Sequence, residues 1–172
     1  TGGMFAAAGY ARGRHLPYFG ICLGMQTAVI EFARDAAGLA GANSGEFDPA
    51  SPHKVIDFMP GQSESVDKGG TLRLGACPCE IVPGTTLARC YGQDEVWERH
   101  RHRYELNNAY RGRLTAAGLT LSGLSPDGKP VEAVELGSER FFVGVQYHPE
   151  FKSRPNRPHP LLTGFISAAL EK

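Results

Sequence analysis

The sequence predicts an α/β domain, a three-layer sandwich in which helices cover a central, mostly parallel sheet. Three stretches carry that expectation. Tyr18–Ile21 is a short apolar run that turns at once into a helical pattern, and Phe141–Gln146 is a second apolar run that ends beside polar residues. Strand followed directly by helix is how parallel sheets are assembled. Between them, Leu119–Leu124 and Val131–Leu136 flank Ser125-Pro126-Asp127-Gly128 and read as an antiparallel hairpin, which belongs at a sheet edge.

Taken in order, Met4 to Arg12 is alanine-rich and predicts a helix feeding the first strand. Tyr18–Ile21 is too short and too rich in aromatic and β-branched residues for a helix, so it is a buried strand. From Met25 onward, Met25, Ala28, Val29, Phe32 and Ala36 mark one face of a helix that stops at Gly38. Residues 40–49 are small and polar, hence a loop. Val55–Met59 predicts a short strand, Pro60–Gly70 a flexible connector, Thr71–Gly75 a half-buried strand and Glu80–Val82 another short one. Glu98–Asn107 is dense in charge and reads as a solvated edge. The tail from His159 to Leu170 predicts an amphipathic closing helix with Pro160 in its first turn; Pro155, Pro158 and Pro160 keep the approach stiff.

A chain of 172 residues suits one domain with a substantial core. Its 18 basic and 18 acidic side chains balance, so no global field recruits nucleic acid or an anionic membrane. There is no apolar run of about 18 residues and no signal-peptide pattern, and the expectation is a soluble, cytoplasmic protein. The four cysteines, Cys22, Cys77, Cys79 and Cys90, have neither disulfide-scaffold nor zinc spacing. Cys77, Cys79 and Cys90 read as core or near-surface thiols, and no metal site is expected.

The chemistry concentrates at Gly20-Ile21-Cys22-Leu23-Gly24, the thiol counterpart of a Gly-x-Ser-x-Gly nucleophile elbow. A sharp strand-to-helix turn leaves little room for Cβ atoms at its flanks, hence glycine there. The turn lifts the sulfur out of the fold beside a helix N-terminus, which favours thiolate. Such a nucleophile needs a base, and the base an orienter. Both are offered by Tyr147-His148-Pro149-Glu150, where a strand delivers His148 and, in an extended segment, Glu150 points the same way. His100 and His102 are decoys, because neither sits at a strand exit with a carboxylate two residues on.

Gly-Ile-Cys-Leu-Gly-Met-Gln (residues 20–26) together with Val-Gln-Tyr-His-Pro-Glu-Phe (145–151) resembles the class I (triad) glutamine amidotransferases, whose sheet is flavodoxin-like. Within them, Ile30–Arg34, Glu46–Pro49, Arg99–Glu105 and Phe151–Pro155 continuing to Leu161 resemble the CTP synthase family, over essentially the whole chain. The resemblance implies Cys22, His148 and Glu150 as catalytic triad, Leu23 N–H as one oxyanion donor, and Gln26, Glu46 and Arg103 as substrate-binding residues. Glu46 would meet the α-ammonium of L-glutamine and Arg103 its α-carboxylate. It also implies that residues 1–172 are one glutamine amidotransferase domain without its glycine loop and N-terminal strands.

Ammonia from this domain would pass to a synthetase domain of the same polypeptide, in a homo-oligomer (tetramer) that uses ATP and Mg2+ to aminate UTP, with GTP as activator. No cofactor is expected in this chain, which has no Gly-x-x-x-x-Gly-Lys loop. The residues alone leave alternatives open: another class I amidotransferase, a γ-glutamyl hydrolase or cysteine peptidase using the same elbow, or a non-catalytic regulatory fragment.

Overall fold

The computed structural model describes residues 1–58 and 73–171. The expected connector 60–70, and with it the start of the strand read from Thr71, lies outside the described residues. The elements are α1 (Gly2–Gly13), β1 (Tyr18–Ile21), α2 (Leu23–Asp35), β2 (Asn43–Ser44), β3 (Lys54–Phe58), β4 (Arg73–Ile81), α3 (Thr86–Tyr91), β5 (Glu95–His102), β6 (Tyr104–Leu106), α4 (Arg111–Ala116), β7 (Thr120–Leu124), β8 (Val131–Glu135), β9 (Phe142–Val145) and α5 (Pro160–Leu170). No described helix is long and apolar enough to cross a membrane.

The three layers are present. On one face of the large sheet, Ala8 and Ala11 of α1 and Met25, Val29 and Ala33 of α2 share a core with Val134 and Phe142; on the other, Leu87 of α3 and Leu161 and Ala168 of α5 share one with Ala133, Val143 and Val145. Neighbours along β8 and β9 therefore go to opposite cores, the period of two that a doubly covered sheet requires.

Strand direction corrects the expectation of a mostly parallel sheet. The large sheet runs β1-β9-β8-β7-β4-β5, and β2-β3-β6 form a smaller one. In the large sheet β1 and β9 pair in parallel, whereas β9/β8, β8/β7, β7/β4 and β4/β5 are all antiparallel. The reason is connection length. Parallel neighbours need a crossover of a dozen or more residues, but β7 and β8 are joined by a tight turn closed by Gly128 N–H to Ser125 O at 2.7 Å. A short turn after β8, where Leu136 N–H meets Phe142 O at 3.1 Å, likewise reverses the chain into β9. The hairpin consequently lies in the middle of the sheet, not at its edge. The two short strands expected around residues 71–82 merge into β4, which carries Pro78 opposite Trp97.

The first strand begins and ends where the sequence reading puts it. α2 starts two residues before Met25 and ends at Asp35, ahead of Gly38, whose φ is +64°. Of the two elbow glycines only Gly20 is sterically forced: a Cβ there would stand 2.7 Å from the carbonyl of Gly24 and 2.8 Å from the nitrogen of Met25, whereas at Gly24 the nearest atom would be Tyr18 Oη at 3.9 Å.

The charged stretch is strand β5, and its residues alternate exposed and buried, the buried set being Val96, Glu98, His100 and His102. A strand with a polar buried face hides from a hydrophobic-pattern reading. His102 Nδ1 lies 3.1 Å from Tyr104 O and His102 Nε2 lies 3.0 Å from His100 Nδ1. A carbonyl only accepts, so His102 carries its proton on Nδ1, and its Nε2 accepts a hydrogen bond from His100 Nδ1–H. Burial, reinforced by Arg73, pushes His102 down to about 4 and His100 to about 2. Beyond them His100 Nε2 is 3.5 Å from Glu132, which Arg73 meets at 2.5 Å; burial nonetheless raises Glu132 to about 7.

Two outcomes follow from these contacts. Gly20→Ala is expected to destabilise the fold by about 1–3 kcal/mol through overpacking against the Gly24–Met25 backbone, while Gly24→Ala changes it by less; urea unfolding of both variants checks the contrast. For the histidines, between pH 6.5 and 4 the unfolded chain binds a proton at residue 102 that the folded chain does not, so stability falls as pH drops. Glu132 acts with the opposite sign, since from about 4.5 to 7 the folded chain holds the extra proton and that contribution is lost as pH rises through 7. His102→Gln is expected to flatten the acid-side fall by about 1.4 kcal/mol per pH unit, and an unchanged slope in unfolding free energy against pH would refute the neutral, buried state.

Candidate active site

Parallel pairing of β1 with β9 aligns Ile21 with Val145, so the residues that follow them leave the same end of the sheet side by side. Cys22 N–H donates to Val145 O at 2.7 Å. His148 comes three residues after Val145, and its own N–H donates to Arg99 O at 2.8 Å, tying the β9 exit to β5. Cys22 and the segment after β9, far apart in sequence, thus leave the same end of the sheet.

Cys22 sits at the elbow with φ 50° and ψ −102°, the left-handed side of backbone space for a residue with a Cβ. Such a conformation costs about 1–3 kcal/mol and persists only where its surroundings impose it. They do so here: Gly20 lies against the first turn of α2, and Tyr18 Oη–H donates to Gly24 O at 2.8 Å.

His148 Nδ1 lies 2.7 Å from Glu150 Oε1, and the His148 ring stacks on Phe151 at 4.9 Å between centroids. A carboxylate accepts, so Nδ1 carries a proton, and Nε2 is the ring nitrogen left for proton transfer. The route differs from the extended one expected, because Pro149–Phe151 is a 3-10 turn. That turn still returns the carboxylate to the ring.

The thiol is the second departure. Burial pushes Cys22 up; the Leu23 N–H and the Gln146 side-chain amide oppose the rise, and the charges of Glu150 and Glu46 add to it. The helix N-terminus at Leu23 acts in the expected direction and loses to desolvation. In this state Cys22 is a thiol, and a base is needed to ionise it.

A cleft of about 330 Å³ opens beside the sulfur, and its wall brings together Cys22, Leu23, Gln26 and Glu46 with Arg101, His102, Arg103 and Tyr104. His148 and Glu150 stand outside that wall, beyond β9. Glu46 is exposed, and Arg103 is half-buried in the bend between β5 and β6. Gln26 is buried, and its Nε2 is engaged by Tyr104 O at 2.8 Å and Gln146 Oε1 at 3.1 Å. The sequence reading missed Arg101 and Gln146. Gln146 donates to Cys22 Sγ at 3.6 Å and is wholly buried; the signal was there, since a glutamine inside an apolar strand must find partners. His100 and His102 are not bases for Cys22: they form the internal chain described above. No group of three potential metal-ligating side chains occurs among the described residues, and all four cysteines are free thiols.

Residues 1–168 match the family described as Glutamine amidotransferase class-I. The chain is 59% identical over 169 residues to the CTP synthase of Carboxydothermus hydrogenoformans, covering 98% of this chain and 32% of that protein, and 61% identical over 168 residues to the CTP synthase of Rubrobacter xylanophilus, covering 98% and 30%. It therefore spans about a third of the length of the curated relatives it matches. Among solved structures, the Trypanosoma brucei CTPS glutaminase domain with bound acivicin superposes with a TM-score of 0.93 at 45% identity, over 99% of this chain and 66% of that one. A cysteine elbow on a strand paired with the strand that delivers a histidine–glutamate pair is what a match along nearly the whole sequence would require, and the chain belongs to the class I glutamine amidotransferase family.

Proposed function

We propose that the chain is the glutaminase part of a CTP synthase, hydrolysing L-glutamine through a cysteine thioester and supplying ammonia for amination of UTP. The observation that carries this reading is the cleft in which Cys22 shares a wall with Glu46 and Arg103. An anion and a planar cation flanking a nucleophile suit the two charged ends of a free amino acid, and a peptidase would have no use for both. The identity to CTP synthases along 98% of the chain supports the destination of the ammonia.

In the proposed reaction His148 Nε2 takes the thiol proton as Cys22 Sγ attacks the side-chain amide carbon, and Glu150 holds the imidazolium through Nδ1–H. The negative charge that forms on the amide oxygen faces the Leu23 N–H. Collapse breaks the C–N bond, His148 returns the proton to the departing ammonia, and a thioester remains. Water then attacks the thioester with His148 again as base, releasing glutamate and the Cys22 thiol. Gln26 closes the inner wall of the cleft. ATP, Mg2+ and the activator GTP would act on a synthetase domain of the same polypeptide, in a cytoplasmic tetramer serving pyrimidine biosynthesis; this chain supplies the ammonia.

Cys22→Ala in the intact enzyme is expected to abolish ammonia release from glutamine while sparing amination by added ammonium salt. Near-normal glutamine hydrolysis in that variant would overturn the nucleophile. Arg103→Ala and Glu46→Ala are each expected to raise the glutamine KM about ten- to a hundredfold with a much smaller fall in kcat, because they grip parts of the ligand whose charge does not change. Steady-state kinetics with an unchanged KM in both would remove them from the site.

A further inference from the structure

The sulfur of Cys22 has a side-chain neighbour outside the triad. Gln146 Nε2 lies 3.6 Å from Sγ, within reach for an N–H donor to sulfur. Which end of an amide faces the sulfur is ordinarily ambiguous, since nitrogen and oxygen are alike in shape. Here the surroundings decide it. The Tyr104 carbonyl can only accept, so Gln26 must turn its nitrogen toward it, at 2.8 Å. The second hydrogen on that nitrogen points at Gln146, 3.1 Å away, which must therefore present Oε1. Only Nε2–H is left for Cys22. A backbone carbonyl thus sets the polarity of a buried chain, Tyr104 O to Gln26 to Gln146 to Cys22, in which Gln26 is 4% and Gln146 0% exposed.

We propose that Gln146 is a further catalytic residue, donating a hydrogen bond to Cys22 Sγ, and that Gln26 is a positioning residue that fixes the direction of that bond. The proposal rests on Cys22 being the nucleophile. When the S–H bond breaks and the proton passes to His148 Nε2, the electron pair stays on sulfur and the Gln146 N–H stabilises it. When the S–C bond forms, the charge moves to the amide oxygen, the sulfur becomes neutral and the contact weakens. A donor that is strong to the thiolate and weak to the thioester assists ionisation without trapping the enzyme in the acyl state.

The test is the pH dependence of Cys22 alkylation by iodoacetamide in the full chain, read by mass spectrometry of the Cys22 peptide with the Cys77 and Cys90 peptides as internal references. The charged and titratable groups around the sulfur, Glu46, Arg101, His102, Arg103, His148 and Glu150, are left in place. In Gln146→Leu the midpoint for Cys22 is expected to rise by about one pH unit, with alkylation at pH 7 about tenfold slower. Gln146→Met, unbranched and closer in shape, is expected to do the same and carries the test if the leucine variant does not fold. Gln26→Met is expected to give a smaller rise, because Gln146 loses its orienting partner. A merely structural role for Gln146 would lower the unfolding temperature and leave the Cys22 midpoint where it was; that result in a folded Gln146 variant overturns the proposal. The outcome is separable from the proposed function, because the titration of the thiol is read without glutamine. A Cys22→Ala enzyme that kept its glutaminase would overturn the function and not this measurement.

Discussion

The site depends on a single backbone hydrogen bond, Cys22 N–H to Val145 O at 2.7 Å, which continues the β1–β9 parallel ladder one residue past the strand. By holding the elbow to the end of β9, it brings the sulfur to 3.6 Å from Gln146, the first residue beyond that strand, with His148 two residues further along the chain. The strain at Cys22 is tolerable for the same reason. A positive φ that costs a few kcal/mol in isolation is imposed by the ladder on one side and by the first turn of α2, seated on Gly20, on the other. Met25, two residues into that helix, would stand 3.0 Å from a Cβ on Gly144, so the glycine in β9 lets the helix lie close enough for the elbow to turn.

Around that anchor, β5 ties the site to the rest of the molecule. Its outward residue Arg99 accepts the His148 N–H, its buried residues His100 and His102 run to the Tyr104 carbonyl, and that carbonyl also receives Gln26. The bend between β5 and β6 carries Arg103. Two hydrogen-bond chains therefore end on one backbone oxygen next to the arginine of the cleft, and both histidines are neutral in consequence of burial. The polar face of β5 is internal wiring that fixes the cleft wall.

What the sequence disclosed was whatever local chemistry demands. The strand Tyr18–Ile21 and the glycine before the cysteine are required by neighbours a few residues away and stand as expected, and the histidine and glutamate after the second apolar run do bond to each other, through a 3-10 turn and not an extended segment. What it hid was non-local. The hairpin's turn is written in Pro126-Asp127-Gly128, but its place in the middle of the sheet depends on which strands flank it. β5 was hidden because Glu98 is buried against Lys152 and His159, and His100 against Glu132, itself paired with Arg73, all from distant segments. Gln146 escaped for the same reason, since its partners are 120 and 124 residues away. The acidity of Cys22 was misjudged because the helix N-terminus is visible in sequence, whereas the burial that outweighs it is not.

That burial bears on when the nucleophile forms. In the proposed reaction an α-ammonium enters beside Glu46, one of the two carboxylates whose charge adds to the rise that burial imposes on the thiol. Pairing with a cation removes much of that charge's effect on the sulfur, so substrate binding and thiol ionisation favour each other. Glu150, the other carboxylate, is paired with His148, and the proton taken from sulfur neutralises its field at the moment the thiolate appears. Leu23 N–H and the Gln146 amide oppose the rise throughout and need no ligand to do so. The site thus combines fixed donors, which lower the barrier to ionisation, with two carboxylates whose opposition is relieved by the substrate and by the triad's own proton transfer.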